Sequence, residues 1–139
     1  MATWARAVRD RRLDGSVRFD KGWVPTERVG TYFAAADVVV LPYVSASTSA
    51  VLLLAQAHGC VVVATSVGPM PELIAQGRSG LTVPPADPEA LAQAVIDLLD
   101  SPPRSRAIGQ RARAMVEESH GWAEIAVKTE ALYGELLGL

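Results

Sequence analysis

The stretch DVVVLPYVSASTSAVLLLAQAHGCVVVAT, residues 37–65, decides how this chain folds. It opens with Asp37-Val38-Val39-Val40-Leu41, an unbroken β-branched run that suits a strand buried on both faces. Pro42 has no amide hydrogen to give to a ladder and stops it. Ser45 to Ser49 is a loop of small, polar residues. Residues 49–58 read as a helix that is apolar almost all round, which predicts deep burial. Gly59 ends that helix, and Val61-Val62-Val63-Ala64 is another buried strand. Strand and helix in alternation imply a layered α/β domain with parallel strands.

The same alternation extends in both directions. Residues 2–13 look helical, with Trp4 and Val8 one turn apart. Asp14-Gly15 makes a turn, and Val17-Arg18-Phe19 is a short strand candidate. Pro25-Thr26 starts a helix whose Val29, Tyr32 and Phe33 share a face. Downstream, Gly68-Pro69-Met70-Pro71 is a loop, and Pro71-Glu72 suits the first turn of a short helix. Gly77 and Gly80 bracket a turn before the strand Leu81-Thr82-Val83. Asp87-Pro88-Glu89 combines a cap, a first-position proline and an acid at the positive dipole end, and Leu91, Val95 and Leu98 mark the buried face that follows. Two more helices are expected at roughly 105–118 and 122–138, the last with Trp122, Ile125, Leu132 and Leu136 at helical spacing and Trp122 in the core. About four strands with helices on both faces make a Rossmann-like three-layer parallel sheet, and no linker divides residues 1–139.

The 139 residues suffice for one hydrophobic core, and a composition 50% apolar and 20% charged is globular. A net charge of −2 supplies no field for capturing polyanions, so nucleic acid is not an expected partner. Cys60 is the single cysteine, which excludes an internal disulfide and a cysteine-based metal cluster. No metal and no cofactor is expected. The start of the chain has no signal-peptide core, and the longest apolar stretch, Ala50 to Ala55, is far short of a membrane span. A soluble, cytoplasmic protein is the simplest expectation.

Ligands of open parallel sheets bind outside the carboxyl ends of the strands. Those ends carry Pro42 to Ser49, Thr65 to Pro71 and Pro84 to Asp87. The loop Ser45-Ala46-Ser47-Thr48-Ser49 stands out because it opens a buried helix, whose first amides are free and whose dipole end is positive. Small residues let a phosphate approach the backbone, and hydroxyls add hydrogen bonds. The competing reading is that Ser47 or Ser49 merely caps the helix. Both stay open at this point.

The run ADVVVLPY (36–43), followed by AVLLLAQAHGCVVVATSVGPMPELIAQGRSGLTVPPADPEALAQAV (50–95), resembles the C-terminal domain of GT-B-fold retaining glycosyltransferases, the large group 1 (GT4-like) family. The motifs stand in the family's order and spacing: a strand ending Leu41-Pro42, the ligand loop, a buried helix, a strand ending Ala64-Thr65, the Val67-Gly68 to Pro71-Glu72 loop, Gly80 to Pro85, and Asp87 to Leu91. The resemblance covers about residues 16–137. It implies a site for a nucleoside-diphosphate sugar, with the acceptor bound by a separate N-terminal domain or chain, and transfer with retention at the anomeric carbon without a tightly bound metal. The donor-binding residues expected are Ser47, Thr48, Ser49, Ala50, Tyr43, Thr65 and Gly68. No catalytic residue is assigned.

Two departures from the family pattern matter. The family commonly carries a pair of glutamates, one for the sugar and one for the ribose, and their positions here are Ala46 and Leu54. The serine-rich loop resembles a branch that lacks them. The family domain also has two earlier strand-and-helix units with basic residues for the diphosphate, so this chain resembles an N-terminally truncated domain that is not expected to be active alone. The alternative is a non-catalytic remnant, or a subunit that needs a separate acceptor-binding chain. An unrelated receiver-like domain would need acids clustered at the strand ends, where this sequence has none of the right kind. With family strand order 3-2-1-4-5-6, residues 37–41 become an edge, and 17–19 is expected either to move beside it or to be left unpaired. Elsewhere, Glu72 is expected to serve its helix start, His58 a helix end, and Cys60 the core.

Overall fold

The structure, a computed structural model, describes residues 3–74 and 77–138. Its elements in chain order are α1 (Thr3–Asp10), α2 (Thr26–Ala35), β1 (Val39–Leu41), α3 (Ala50–Ala57), β2 (Val62–Thr65), α4 (Met70–Leu73), β3 (Leu81–Val83), α5 (Pro88–Leu99), α6 (Pro102–His120) and α7 (Trp122–Leu137). The strands form one parallel sheet in the order β1-β2-β3, with Val39 opposite Val62, Leu41 opposite Ala64, Val63 opposite Leu81 and Thr65 opposite Val83.

β2 is the centre and is buried at every position. Alternation along it feeds two cores. Val62 and Ala64 join Leu41, Leu52, Ala55, Met70 and Ile74 on one side, while Val61 and Val63 join Val83, Ala94, Leu98 and Ile108 on the other. Helix α3 therefore covers one face and α5 the other, and the long α6 packs against both helices. The α5 start expected from Asp87-Pro88-Glu89 is realised, with the Asp87 carboxylate accepting from the Ala90 amide at 2.9 Å.

Three expectations are corrected. Val17-Arg18-Phe19 is not a strand, so the sheet has three strands rather than four, and the segment is left outside it. Val17 is instead tied into the turn after α1, its amide bonded to the Leu13 carbonyl at 3.0 Å. With Val17 claimed by that turn, too little of the segment is left to pair as a strand. As expected, β1 is then an edge. Helix α3 is not buried all round: Leu52, Ala55 and Gln56 are buried, but Val51 and Leu54 lie nearly half exposed, because β2 and α6 cover only part of its circumference. Finally, Trp122 is not in the core but 85% exposed, and α7 buries none of its described residues. Its periodicity supplies an apolar face, and α6 covers too little of that face to bury it. The expected partner of Val8, the Trp4 side chain, lies outside the described side chains.

The approach of α6 is set by a glycine. A Cβ on Gly109 would overlap the Gly59 carbonyl oxygen and stand 3.3 Å from the Val61 amide nitrogen. Gly109→Ala gains about 1 kcal/mol of helix propensity, but overpacking a rigid backbone contact costs about 1–3 kcal/mol. The clash is expected to win, giving a net loss of about 1 kcal/mol or more that a urea titration would register.

Candidate functional site

The carboxyl ends of all three strands meet at one edge of the sheet. β1 leads through the 42–49 loop into α3, β2 through Ser66–Pro69 into α4, and β3 through Pro84–Asp87 into α5. Ser49 is the N-cap of α3, in extended backbone conformation, and its buried hydroxyl accepts the Leu52 amide at 3.2 Å. The Tyr43 hydroxyl lies 3.4 Å from the same oxygen. Capping is thus the work of the Ser49 side chain. It leaves Ala50 and Val51, both exposed, at the helix tip, where amides have no partner within the helix.

That tip opens beside a shallow depression of about 590 Å³ lined by Tyr43, Ser45, Ala46, Ser47 and Thr48, none of them charged. Ser47 and Thr48 are exposed there. Leu54 stands one turn after Ala50 and is also exposed, so the two positions where the resembling family carries glutamates are an apolar surface side chain and a half-buried alanine. Thr65 and Gly68 lie behind the loop. The Thr65 hydroxyl donates to the Tyr43 carbonyl at 2.5 Å and stands 3.4 Å from the Leu41 carbonyl. Gly68 has φ +52°, and a Cβ there would overlap the Ala46 carbonyl oxygen. Neither contact has a signature in the sequence, because both join segments roughly twenty residues apart. Glu72 is exposed in the first turn of α4, as its helix-start reading expects.

A second, more enclosed cavity of about 300 Å³ lies at the amino ends of the strands, between Phe33, Asp37, His58, Cys60, Leu98 and Arg106. Here His58 caps the end of α3, and its ring stacks on Phe33 at 5.1 Å. Cys60 is buried, its thiol donates to the Phe33 carbonyl at 3.2 Å, and burial raises its pKa. This end of the sheet is opposite to the one where open parallel sheets hold ligands. Among the described residues no group of three or more histidine, cysteine, aspartate or glutamate side chains is placed to hold a metal ion. Nor is any helix among them long and apolar enough to cross a membrane.

The sequence profile of the glycosyl transferases group 1 family matches residues 2–101. The chain belongs to that family. Its sequence is 39% identical over 110 residues to D-inositol 3-phosphate glycosyltransferase of Streptomyces avermitilis, a match covering 79% of this chain and 24% of the relative. Its fold matches the sucrose-phosphate synthase of Thermosynechococcus elongatus with a TM-score of 0.87 and 31% identity, over 97% of this chain and 34% of that one. The fold also matches Anabaena HepE, solved in complex with UDP-glucose, with a TM-score of 0.82 at 19% identity, over 98% of this chain and 36% of that one. The architecture is that of the GT-B glycosyltransferases, and the chain spans between about a quarter and a third of the length of such relatives.

Two measurements check the local chemistry. Ser49→Ala removes the α3 cap and is expected to cost about 1 kcal/mol in urea unfolding. Cys60 has a folded-state pKa raised above its ordinary value, so the stability linked to it is present at neutral pH and is lost as pH rises through the folded value. Between about pH 8 and pH 10 the wild type is expected to lose more stability than Cys60→Ala. Equal losses would mean that the thiol is not held neutral by burial.

Proposed function

We propose that this chain is the donor-binding part of a retaining glycosyltransferase and holds a nucleoside-diphosphate sugar, its diphosphate at the tip of α3. The observation that carries this reading is the pair of exposed positions, Ala50 and Val51, at a helix N-terminus that opens beside a depression of small residues and hydroxyls. The two amides and the helix dipole favour negative charge, and Ser47 and Thr48 contribute hydroxyls to the lining of the depression. Tyr43 lines the depression and would supply aromatic surface to a sugar or base. Catalysis would come from holding the donor in line with an acceptor and from stabilising the departing diphosphate. That Anabaena HepE, which shares this fold, was solved in complex with UDP-glucose agrees with the donor class.

The lining carries no cation and neither family glutamate. Affinity for a free nucleoside diphosphate then rests on amides and hydroxyls alone, and a Kd on the order of millimolar is expected. This same observation favours a second reading, a binding subunit that reaches full activity only with another chain supplying the acceptor site and the missing charges.

Ala50 offers a selective test. Proline is tolerated at the first position of a helix, because the amide it removes has no partner within the helix. The extended conformation of Ser49 also suits a residue that precedes proline. Ala50→Pro is therefore expected to leave the melting temperature nearly unchanged while weakening UDP about tenfold or more, the worth of one charge-assisted hydrogen bond. An NMR titration of wild type and variant with UDP, GDP and ADP reads this directly. Equal affinity in the two proteins, or no binding by the wild type at roughly ten times the expected Kd, would remove the donor site from α3.

A further inference from the structure

Resting on the diphosphate reading of the α3 tip, we propose that Thr65 and Gly68 are positioning residues, which fix the 42–49 loop from behind and touch no ligand. The loop is otherwise poorly held. Val44, Ser45, Ser47 and Thr48 are all exposed, Val44 to 79%. Tyr43 is where its fastenings meet. The Tyr43 amide donates to the Leu41 carbonyl at 3.0 Å, its carbonyl accepts the Thr65 hydroxyl at 2.5 Å, and its phenol lies 3.4 Å from Ser49 Oγ. Ser49 Oγ in turn accepts the Leu52 amide. A chain of hydrogen bonds thus runs from the end of β2 to the first turn of α3.

Thr65 can do this and little else. Its side chain is buried, with a residue exposure of 4%, and its hydroxyl has the Tyr43 carbonyl at 2.5 Å and the Leu41 carbonyl at 3.4 Å as acceptors. A ligand in the depression would meet the loop, not Thr65. Gly68 acts at the middle of the same loop. With φ +52° it sets its Cα face against the Ala46 carbonyl so closely that any side chain would displace that residue. The two contacts hold the loop at Tyr43 and at Ala46, both of which line the depression. The depression keeps its shape only while both hold, and with it the direction in which the Ala50 and Val51 amides face.

The test uses the full chain and two substitutions at one position. Thr65→Val keeps the shape and removes the hydroxyl, whereas Thr65→Ser keeps the hydroxyl. In ligand-free amide hydrogen exchange, Thr65→Val is expected to speed exchange between residues 43 and 52 while α5 stays protected, and Thr65→Ser is expected to behave as wild type. UDP affinity should fall about tenfold in Thr65→Val and stay within about twofold in Thr65→Ser. A folded Gly68→Ala should follow Thr65→Val in both measurements. Added to Ala50→Pro, Thr65→Val should cost little more, since both act through the same amides. Losses that add in full would show a direct Thr65 contact and overturn the proposal. So would unchanged exchange in Thr65→Val, or an equal defect in Thr65→Ser. A wild type that binds no UDP would sink the donor reading and the ligand half of this proposal, while the exchange result would still decide for or against the clamp.

Discussion

A central strand with no exposed position has to divide its side chains between two layers, and everything else in this chain is arranged around that division. Val62 and Ala64 face α3, and Val61 and Val63 face α5. Because β1 and β2 are parallel, the chain between them must return the length of the sheet, and the helix that carries it back starts at the carboxyl edge. The position of the α3 tip is therefore not a separate feature of the site. It follows from burying β2 on both faces, and Leu52 and Ala55, both wholly buried, hold the helix in that register.

What the residues disclosed in advance is what local chemistry decides. The valine runs at 38–40 and 61–63, the Asp87 cap, the short helix at Pro71 and the Gly59 stop each carry their cause within a few residues. Val17-Arg18-Phe19 and Trp122 have the same apolar signal and a different fate, because a strand needs a neighbour and an apolar helix face needs a cover. Periodicity reports the need and not whether it is met. The site shows the same boundary. The loop from 45 to 49 was legible as a helix entrance, and Tyr43 as a wall beside it. The bond from Thr65 to the Tyr43 carbonyl and the seat of Ala46 on Gly68 were not, since they depend on how two loops are brought together by the sheet.

The replacement of the family's glutamate positions has a consistent electrostatic meaning. At Ala46 the main chain is pressed against Gly68 and the side chain packs half-buried against the core, while Leu54 presents apolar surface one turn along from the helix tip. A carboxylate at either place would have offered strong acceptors to sugar hydroxyls, but it would also have stood near a bound diphosphate and opposed its charge. Without the acids the proposed site needs less positive charge to hold the same anion, and it has less: no charged side chain lines the depression. In the proposed site, discrimination between sugars would rest on shape and on hydroxyl donors, which separate close analogues less sharply than a paired carboxylate does.

Helix capping and anion binding compete for the same amides, so a serine-rich helix entrance looks ambiguous. In this structure the cap is confined to one amide, which leaves the others to the proposed anion. Ser49, turned inward and buried, takes the Leu52 amide in the third position of α3. An N-cap hydroxyl reaches the second or third amide and not the first. The amide of Ala50 therefore stays beyond the reach of Ser49 by geometry, and that of Val51 is left because the cap has chosen Leu52. Ser47 and Thr48 are exposed and line the depression. One serine stabilises the helix and the rest of the loop is released from that duty, so the cap does not argue against an anion site at the same tip. It fixes the orientation of the first turn, and a fixed turn is what two amides need if they are to converge on one phosphate.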